Sequence, residues 1–352
     1  MGSDWTTEWP QRHTDFALHN FMDTVEHSYR NDAVREARAL DDAIMTWGVI
    51  PVCVLGIIGN VIMLWVWMGG TTFSPTTFLI KYIALCDALF LVANIVADGA
   101  DLAGDLVLER ISREFTYPLL IISLHVSMAA AVVRCVILYR PLRAQASLTR
   151  RRTVVTCVCI TLWSLLLGTL VVLFGICQPI HGNYQAYGIC PTDLKKVMDT
   201  DAMWLFLLVM YGCLPVLVMA VCNVAMVVKI QRDSGLASSL SQQSARRLTI
   251  GIICMTSTSL LAFPAHSVML VVIYYRRAAA DISIWTYVLC LGIGNILVVL
   301  NSSVNVIYWA VFATEFRHLF AKKFRKLRGR ATTDDYASVD QTEFGHDDVT
   351  TV

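Results

Sequence analysis

Residues 153–176 read TVVTCVCITLWSLLLGTLVVLFGI, and the three positions before them, Arg150, Arg151 and Arg152, are all cationic. The run carries no charged side chain. It is long enough to cross a bilayer as a helix, which satisfies its own backbone hydrogen bonds where no water can. Six more apolar runs lie near Trp47–Met68, Thr77–Ala97, Phe115–Tyr139, Ala202–Val228, Leu248–Tyr274 and Ile284–Val311. The sequence therefore predicts an all-α fold, a seven-transmembrane helix bundle. Composition agrees: 56% of the 352 residues are apolar and 16% charged, against roughly 45–50% and 25% in soluble domains. A single water-soluble core and bulk disorder are both excluded. Eleven cysteines do not make a disulfide scaffold, because nine fall in the apolar runs and only Cys177 and Cys190 lie in a polar connection.

The arginine triplet also orients the chain. One set of connections, with Arg140, Arg143 and Arg150–Arg152 in the second and seven Lys and Arg from Arg317 to Arg330, holds 18 basic residues; the opposite set holds 10. The positive-inside rule then puts the N-terminus outside and the C-terminus in the cytoplasm, as expected of a multi-pass plasma-membrane protein. The acids follow the reverse split, with nine in residues 1–46 and five from Asp98 to Glu114. That gives an electronegative outer face, whose field attracts cations. A net charge of +1 leaves no nucleic-acid footprint. Residues 1–46 show no signal-peptide pattern, so the first span is expected to act as its own insertion signal. The expected organisation is a disordered extracellular segment (1–46), the bundle (47–311), an amphipathic juxtamembrane helix (312–328) and a disordered cytoplasmic tail (329–352). Trp47, Trp65, Trp67, Trp204, Trp285 and Trp309 fall near span ends, as in an aromatic belt.

Ionisable groups inside spans mark function by default. Lys81 and Arg134 can snorkel, whereas Asp87 lies mid-span. Asn60, Ser123, Asn301, Ser302 and Asn305 sit at similar depth on other spans. Two readings follow, an oxygen-rich pocket for a monovalent cation and an interhelical hydrogen-bond cluster that needs no ion. Pro215 and Pro264 can kink spans five and six. No phosphate loop, zinc motif or nucleophile elbow occurs, so no enzyme activity is expected. His125 and His266 read as core or pocket-lining residues, and no internal repeat supports a transporter.

The span-by-span marks resemble rhodopsin-like (class A) G-protein-coupled receptors. They are Gly59-Asn60-Val61, Leu85-Cys86-Asp87, Arg134 followed by Pro141-Leu142, Trp163, Pro215, Pro264 and Leu300-Asn301-Ser302-Ser303-Val304-Asn305. The Asn-Ser-Ser-Val-Asn pattern, a short polar third inner loop and Phe316-Arg317 resemble invertebrate FMRFamide-like neuropeptide receptors in particular. The resemblance covers roughly residues 47–328. It implies a sodium pocket of Asp87, Ser123, Asn301, Ser302 and Asn305, with sodium as an allosteric ion and no other cofactor. It also implies an inner face of Arg134, Pro141, Leu142, Arg246 and Arg247 for a heterotrimeric G protein.

The departures fall on the family's activation machinery. Val133 and Cys135 replace the acid and tyrosine beside Arg134, so no neighbouring carboxylate is expected to restrain that arginine. Ala262 stands at the family's toggle tryptophan, Thr258 at a phenylalanine, Asn223 at the fifth-span tyrosine, Val306 at the proline after Asn305, and Trp309 at the following tyrosine, with Tyr308 adjacent. Glu109 occupies the expected disulfide cysteine, which leaves a bridge of Cys177 to Cys190 within the second outer loop as the alternative.

No lysine in span seven argues against a retinal ligand, and Thr116 at the aminergic aspartate argues against an amine. An acidic rim (Asp98, Asp101, Asp105, Glu109, Glu114, Asp193) over a mouth with Tyr117, Trp204, His266, Tyr274 and Trp285 suits a cationic amphipathic peptide. The alternatives are a small non-peptide chemosensory ligand and a non-signalling scaffold. At the C-terminal end, Phe312, Phe316, Leu319, Phe320, Phe324 and Leu327 recur at helical spacing among basic residues, as in a helix lying on the bilayer. The tail offers hydroxyls for phosphorylation and arrestin binding, and Thr350-Thr351-Val352 fits a PDZ ligand.

Overall fold

The structure is a computed structural model that describes residues 32, 35–68, 74–177, 201–233, 240–278 and 284–327. Within them the chain is helical, with seven helices long and apolar enough to cross a membrane: Arg35–Trp67, Pro75–Ala103, Phe115–Tyr139, Arg150–Val171, Leu205–Arg232, Gln242–Ala265 and Val288–Phe312, here spans one to seven. Span three touches spans two, four, five and six. It is the centre of the bundle, 67% buried, whereas span four at 22% faces mostly outward.

Two helices start earlier than the apolar runs suggest. Span one reaches back to Arg35, into the segment read as a disordered N-terminus, which corrects the boundary at residue 46. The helix containing span three begins at Leu106, so residues 98–114 are two helix ends and not a loop. Asp101-Leu-Ala-Gly-Asp105 explains why. Gly104 adopts φ 74° after the last helical residue of span two, and the Asp105 carboxylate accepts from the Leu108 amide at 3.0 Å. A left-handed glycine stop followed directly by an aspartate N-cap joins two helices with almost no loop.

Prolines leave a consistent trace in spans one and five. The π-helical turns Met45–Val49 and Leu208–Cys213 each end just before a helix with Pro51 or Pro215 in its first turn. Proline lacks the amide that would close the preceding turn, and a wider turn relieves its clash with the carbonyl behind it. Pro264 instead stays inside the helix Leu240–Ala278.

Lipid offers helices no hydrophobic reason to associate, so close backbone approach carries the packing. A Cβ on Gly56 would lie 2.2 Å from Ser303 Oγ, and one on Gly59 would lie 2.7 Å from Val306 Cγ1. These two glycines let span one nest against span seven. Gly168 does the same between spans four and three, where a Cβ would meet Pro118 at 2.7 Å.

After Phe312 the chain turns at Ala313, in extended backbone, into the amphipathic helix Thr314–Leu327. Phe316, Phe320 and Phe324 stack one turn apart, with centroids 6.4 and 5.9 Å apart, and contact Trp67 and Trp65. Lys323 lies 5.0 Å from the Trp65 ring centroid and donates to the Trp65 carbonyl. The aromatic-belt expectation is corrected here. Trp47 is 82% exposed, but Trp67 and Trp309 are core residues, covered by Phe316 and by the inner end of span six.

Candidate functional site

Asp87 is fully buried. Its Oδ1 accepts from Ser123 Oγ at 2.6 Å and its Oδ2 from Asn305 Nδ2 at 2.7 Å, so spans two, three and seven meet on one carboxylate. Ser302, also fully buried, leaves its Oγ without a hydrogen-bond partner. Asn60 joins through the backbone, its Nδ2 donating to the Gly56 and Ser302 carbonyls, both at 2.9 Å. Span seven is interrupted there: one helix ends at Ser303 and the next begins at Asn305. The break forms without a proline, and the Ser302 carbonyl beside the gap accepts from Asn60. Asn301 is the exception among the expected pocket residues, since its Oδ1 accepts from Ser259 Oγ of span six at 3.0 Å. Two buried amide oxygens, Asn60 Oδ1 and Asn305 Oδ1, have no hydrogen-bond partner.

Arg134 is 6% exposed near the end of span three that leads into the short helix Pro141–Ser147. Its Nε donates to Thr249 Oγ1 at 2.9 Å and its Nη2 to the Ala245 carbonyl, to which Thr249 Oγ1 also donates at 2.8 Å. Among the described residues no carboxylate forms an ion pair with it. The arginine lacks a neighbouring acid, as its flanking sequence implies, yet it is held, by neutral acceptors on span six. Sequence reading missed Thr249 because a threonine one turn beyond a carbonyl carries no charge signal.

Span six is fastened along its length by single hydroxyl bonds. Ser244 meets Thr314 of the surface helix at 2.9 Å, and Thr256 donates to Asn223 Oδ1 of span five at 2.7 Å. Trp309 is fully buried beside span six, next to Gly251, where a Cβ would make ordinary contact with its ring at 3.6 Å. On the same face, Pro141, Arg246 and Arg247 are exposed, and Leu142 is 81% exposed on the short helix Pro141–Ser147.

The opposite end of the bundle differs from the rim expected of its acids. Asp98 is 3% exposed, which corrects its placement on an open rim, and span one extends back to Arg35. Asp101 pairs with Arg38 of that extension at 3.9 Å, and Asp105 caps a helix. Tyr117 is half-buried and Trp285 is 37% exposed. The side chains of Glu109, Glu114, Cys177, Trp204, His266 and Tyr274, together with Asp193, Cys190 and Thr350–Val352, lie outside what the structure describes. Deeper in, beside Ala262, Phe263 is 1% exposed and packs edge-on to Tyr211 with centroids 6.3 Å apart. The Tyr211 hydroxyl and Ser267 Oγ are buried without a hydrogen-bond partner, on facing turns of spans five and six. Neither residue stands out in sequence; the π-helical turn that contains Tyr211 is the structural signal, since such turns favour functional sites.

No family model matches the chain. It is similar to the FMRFamide receptor of Drosophila melanogaster, 23% identical over 305 residues, covering 78% of this chain and 52% of that protein. The chain thus spans about half the length of the relative it matches.

Proposed function

We propose that this multi-pass membrane protein is a G-protein-coupled receptor that binds an extracellular ligand, a cationic amphipathic neuropeptide, and activates a heterotrimeric G protein at the plasma membrane. The observation that carries the reading is the Arg134 clasp: a buried cation at the inner end of the central span, tied to span six by acceptors that one helix displacement removes. Similarity to a receptor that is named for a peptide supports the ligand class. The N-terminus is outside in this reading, and Pro141, Leu142, Arg246 and Arg247 form the inner docking face around Arg134.

The mechanism is a two-state bundle whose populations the ligand biases. Opening breaks both Arg134 bonds, each worth about 1.5–3 kcal/mol for a charged donor. The ligand's differential affinity must cover that cost together with the weaker hydroxyl bonds to Asn223 and Thr314. Freed from Thr249 and Ala245, the guanidinium is available to carbonyl acceptors of the G protein. Sodium fits the Asp87 cluster by donor chemistry, since hard cations take carboxylate, hydroxyl and amide oxygens and two amide oxygens lack partners. Asp87, Ser123, Ser302 and Asn305 would hold it, Asn301 flanking on the span-six side, and the ion would neutralise the buried carboxylate in the closed state. The tail is assigned to arrestin and, through Thr350–Val352, to a PDZ domain.

The test is nucleotide exchange on purified G proteins in membranes holding the chain, with a library of amidated cationic peptides. Peptide-dependent exchange that Arg134→Ala abolishes is the expected result. Equal exchange by the variant would remove Arg134 from signalling, and silence at full surface expression would favour the scaffold reading. The burial of Asp98 and the partnerless Tyr211 and Ser267 hydroxyls favour a second reading, a small non-peptide ligand seated between spans five and six. Tyr211→Phe abolishes the response in that case and only weakens it for a peptide.

A further inference from the structure

The groove between the helix Pro141–Ser147 and spans two to four is absorbed neither by the Asp87 cluster nor by the Arg134 clasp. Two cavities lie there, of about 690 and 620 Å³, within the range of roughly 300–1,000 Å³ common for ligand sites. They share Ser147 and Arg152 as lining residues. Arg140 and Arg143 line the first and Arg151 the second. No acid occurs anywhere from residue 140 to 152, and among the described residues none of these four arginines forms an ion pair. The remaining walls are apolar or hydroxylic, with Leu79, Val133, Val155 and Thr156 in the second cavity.

Position decides what such a groove can hold. Span four begins at Arg150 and turns apolar from Thr153, so the cavities straddle the level where bilayer headgroups give way to acyl chains. Above them, Val155, Val158 and Leu162 are 53%, 51% and 62% exposed, forming an outward apolar track at helical spacing. An occupant must therefore be anionic at one end and apolar at the other. Guanidinium forks bind phosphate oxygens bidentately, which favours a headgroup with phosphomonoesters over a single carboxylate.

We infer that this groove is a binding site for a phosphoinositide-type lipid: its phosphorylated headgroup sits among Arg140, Arg143, Arg151 and Arg152, and an acyl chain follows Val155, Val158 and Leu162. Basic pockets between spans on a cytoplasmic side suit such headgroups. The bound lipid would pin the inner-loop helix, which carries the exposed Leu142, to the end of span four. The inference rests on the orientation proposed above, and protease access to an inner-loop tag in sealed vesicles reads that orientation separately from lipid binding.

The experiment places the full chain in nanodiscs of phosphatidylcholine, with either phosphatidylserine or phosphatidylinositol 4,5-bisphosphate added to equal total charge. Lipid retained per protein is counted by native mass spectrometry. The bisphosphate lipid is expected to stay bound and phosphatidylserine to exchange off. Arg151→Gln with Arg152→Gln weakens retention about thirtyfold, from the contribution of each basic residue near an anionic headgroup. Arg143→Gln alone, on an exposed turn that the bundle does not need, weakens it about fivefold. Arg325→Gln with Lys326→Gln, on the surface helix, leaves it unchanged. Equal loss from the surface-helix pair, equal retention of phosphatidylserine, or equally tight binding of soluble inositol trisphosphate would each overturn the lipid site. If the double variant fails to fold, Arg143→Gln decides.

Discussion

Around Asp87 the partners come from spans three and seven, at 2.6 and 2.7 Å, and a fourth chain segment, Asn60, braces the same junction through the backbone. Around Arg134 they come from span six alone, a hydroxyl and a carbonyl one turn apart. The first charge is locked from several directions, so no single helix movement can release it. The second is held across one seam. A bundle built this way has a middle held from several sides and, around Arg134, a seam along span six, where one displacement would break every bond to the buried charge.

Five substitutions would break or sharpen that contrast. Asp87→Leu strands Ser123 Oγ and Asn305 Nδ2 in the core, and at about 1–3 kcal/mol for each buried unsatisfied group it lowers the thermal midpoint of the detergent-solubilised protein more than any other change here. Asp87→Asn keeps the shape; with the ion proposed there, sodium raises the midpoint of the unaltered chain relative to choline and leaves that of the variant unchanged. Thr249→Val removes one acceptor from Arg134, about 1.5–3 kcal/mol, and shifts the equilibrium toward the open state roughly tenfold or more. Basal nucleotide exchange rises accordingly; an unchanged rate would mean that the clasp restrains nothing.

Gly56→Ala forces a methyl into Ser303 and Leu91, and overpacking of this kind costs about 1–3 kcal/mol. Its effect falls on stability, with basal exchange unaltered, because the seam between spans one and seven belongs to the fixed middle. Gly251→Ala meets Phe312 at 3.4 Å and Trp309 at 3.6 Å, ordinary contact, and moves the midpoint by less than the equivalent of about 1 kcal/mol. A larger loss would show that Trp309 tolerates no added volume beside it.

The seven spans, the amphipathic helix after them and the depth of Asp87 were legible in the sequence, because hydrocarbon thickness and helical periodicity leave few alternatives. So were Ser123 and Asn305, polar residues in apolar runs at matching depth. Asp98 departs from the expected rim for a physical reason: charge is read along the chain, while exposure depends on how the helices pack. Nothing in the composition of residues 35–46 announces a helix whose Arg38 would pair with Asp101. Trp67 and Trp309 were placed at the interface by the same logic of position along a span, although the surface helix and span six enclose them.

What the sequence determined by itself is the set of helices, the uneven division of charge between their two ends, and the buried ionisable groups that such a bundle must satisfy. The tertiary structure decided how each is satisfied. Hydroxyls, amides and backbone carbonyls are common and uncharged, so their value as partners depends on a rotation about a helix axis that sequence spacing does not specify. Asn301 turned to Ser259, Arg134 found Thr249, and Asp98 became buried, because packing through Gly56, Gly59 and Gly168 fixed how closely the helices approach and which faces meet.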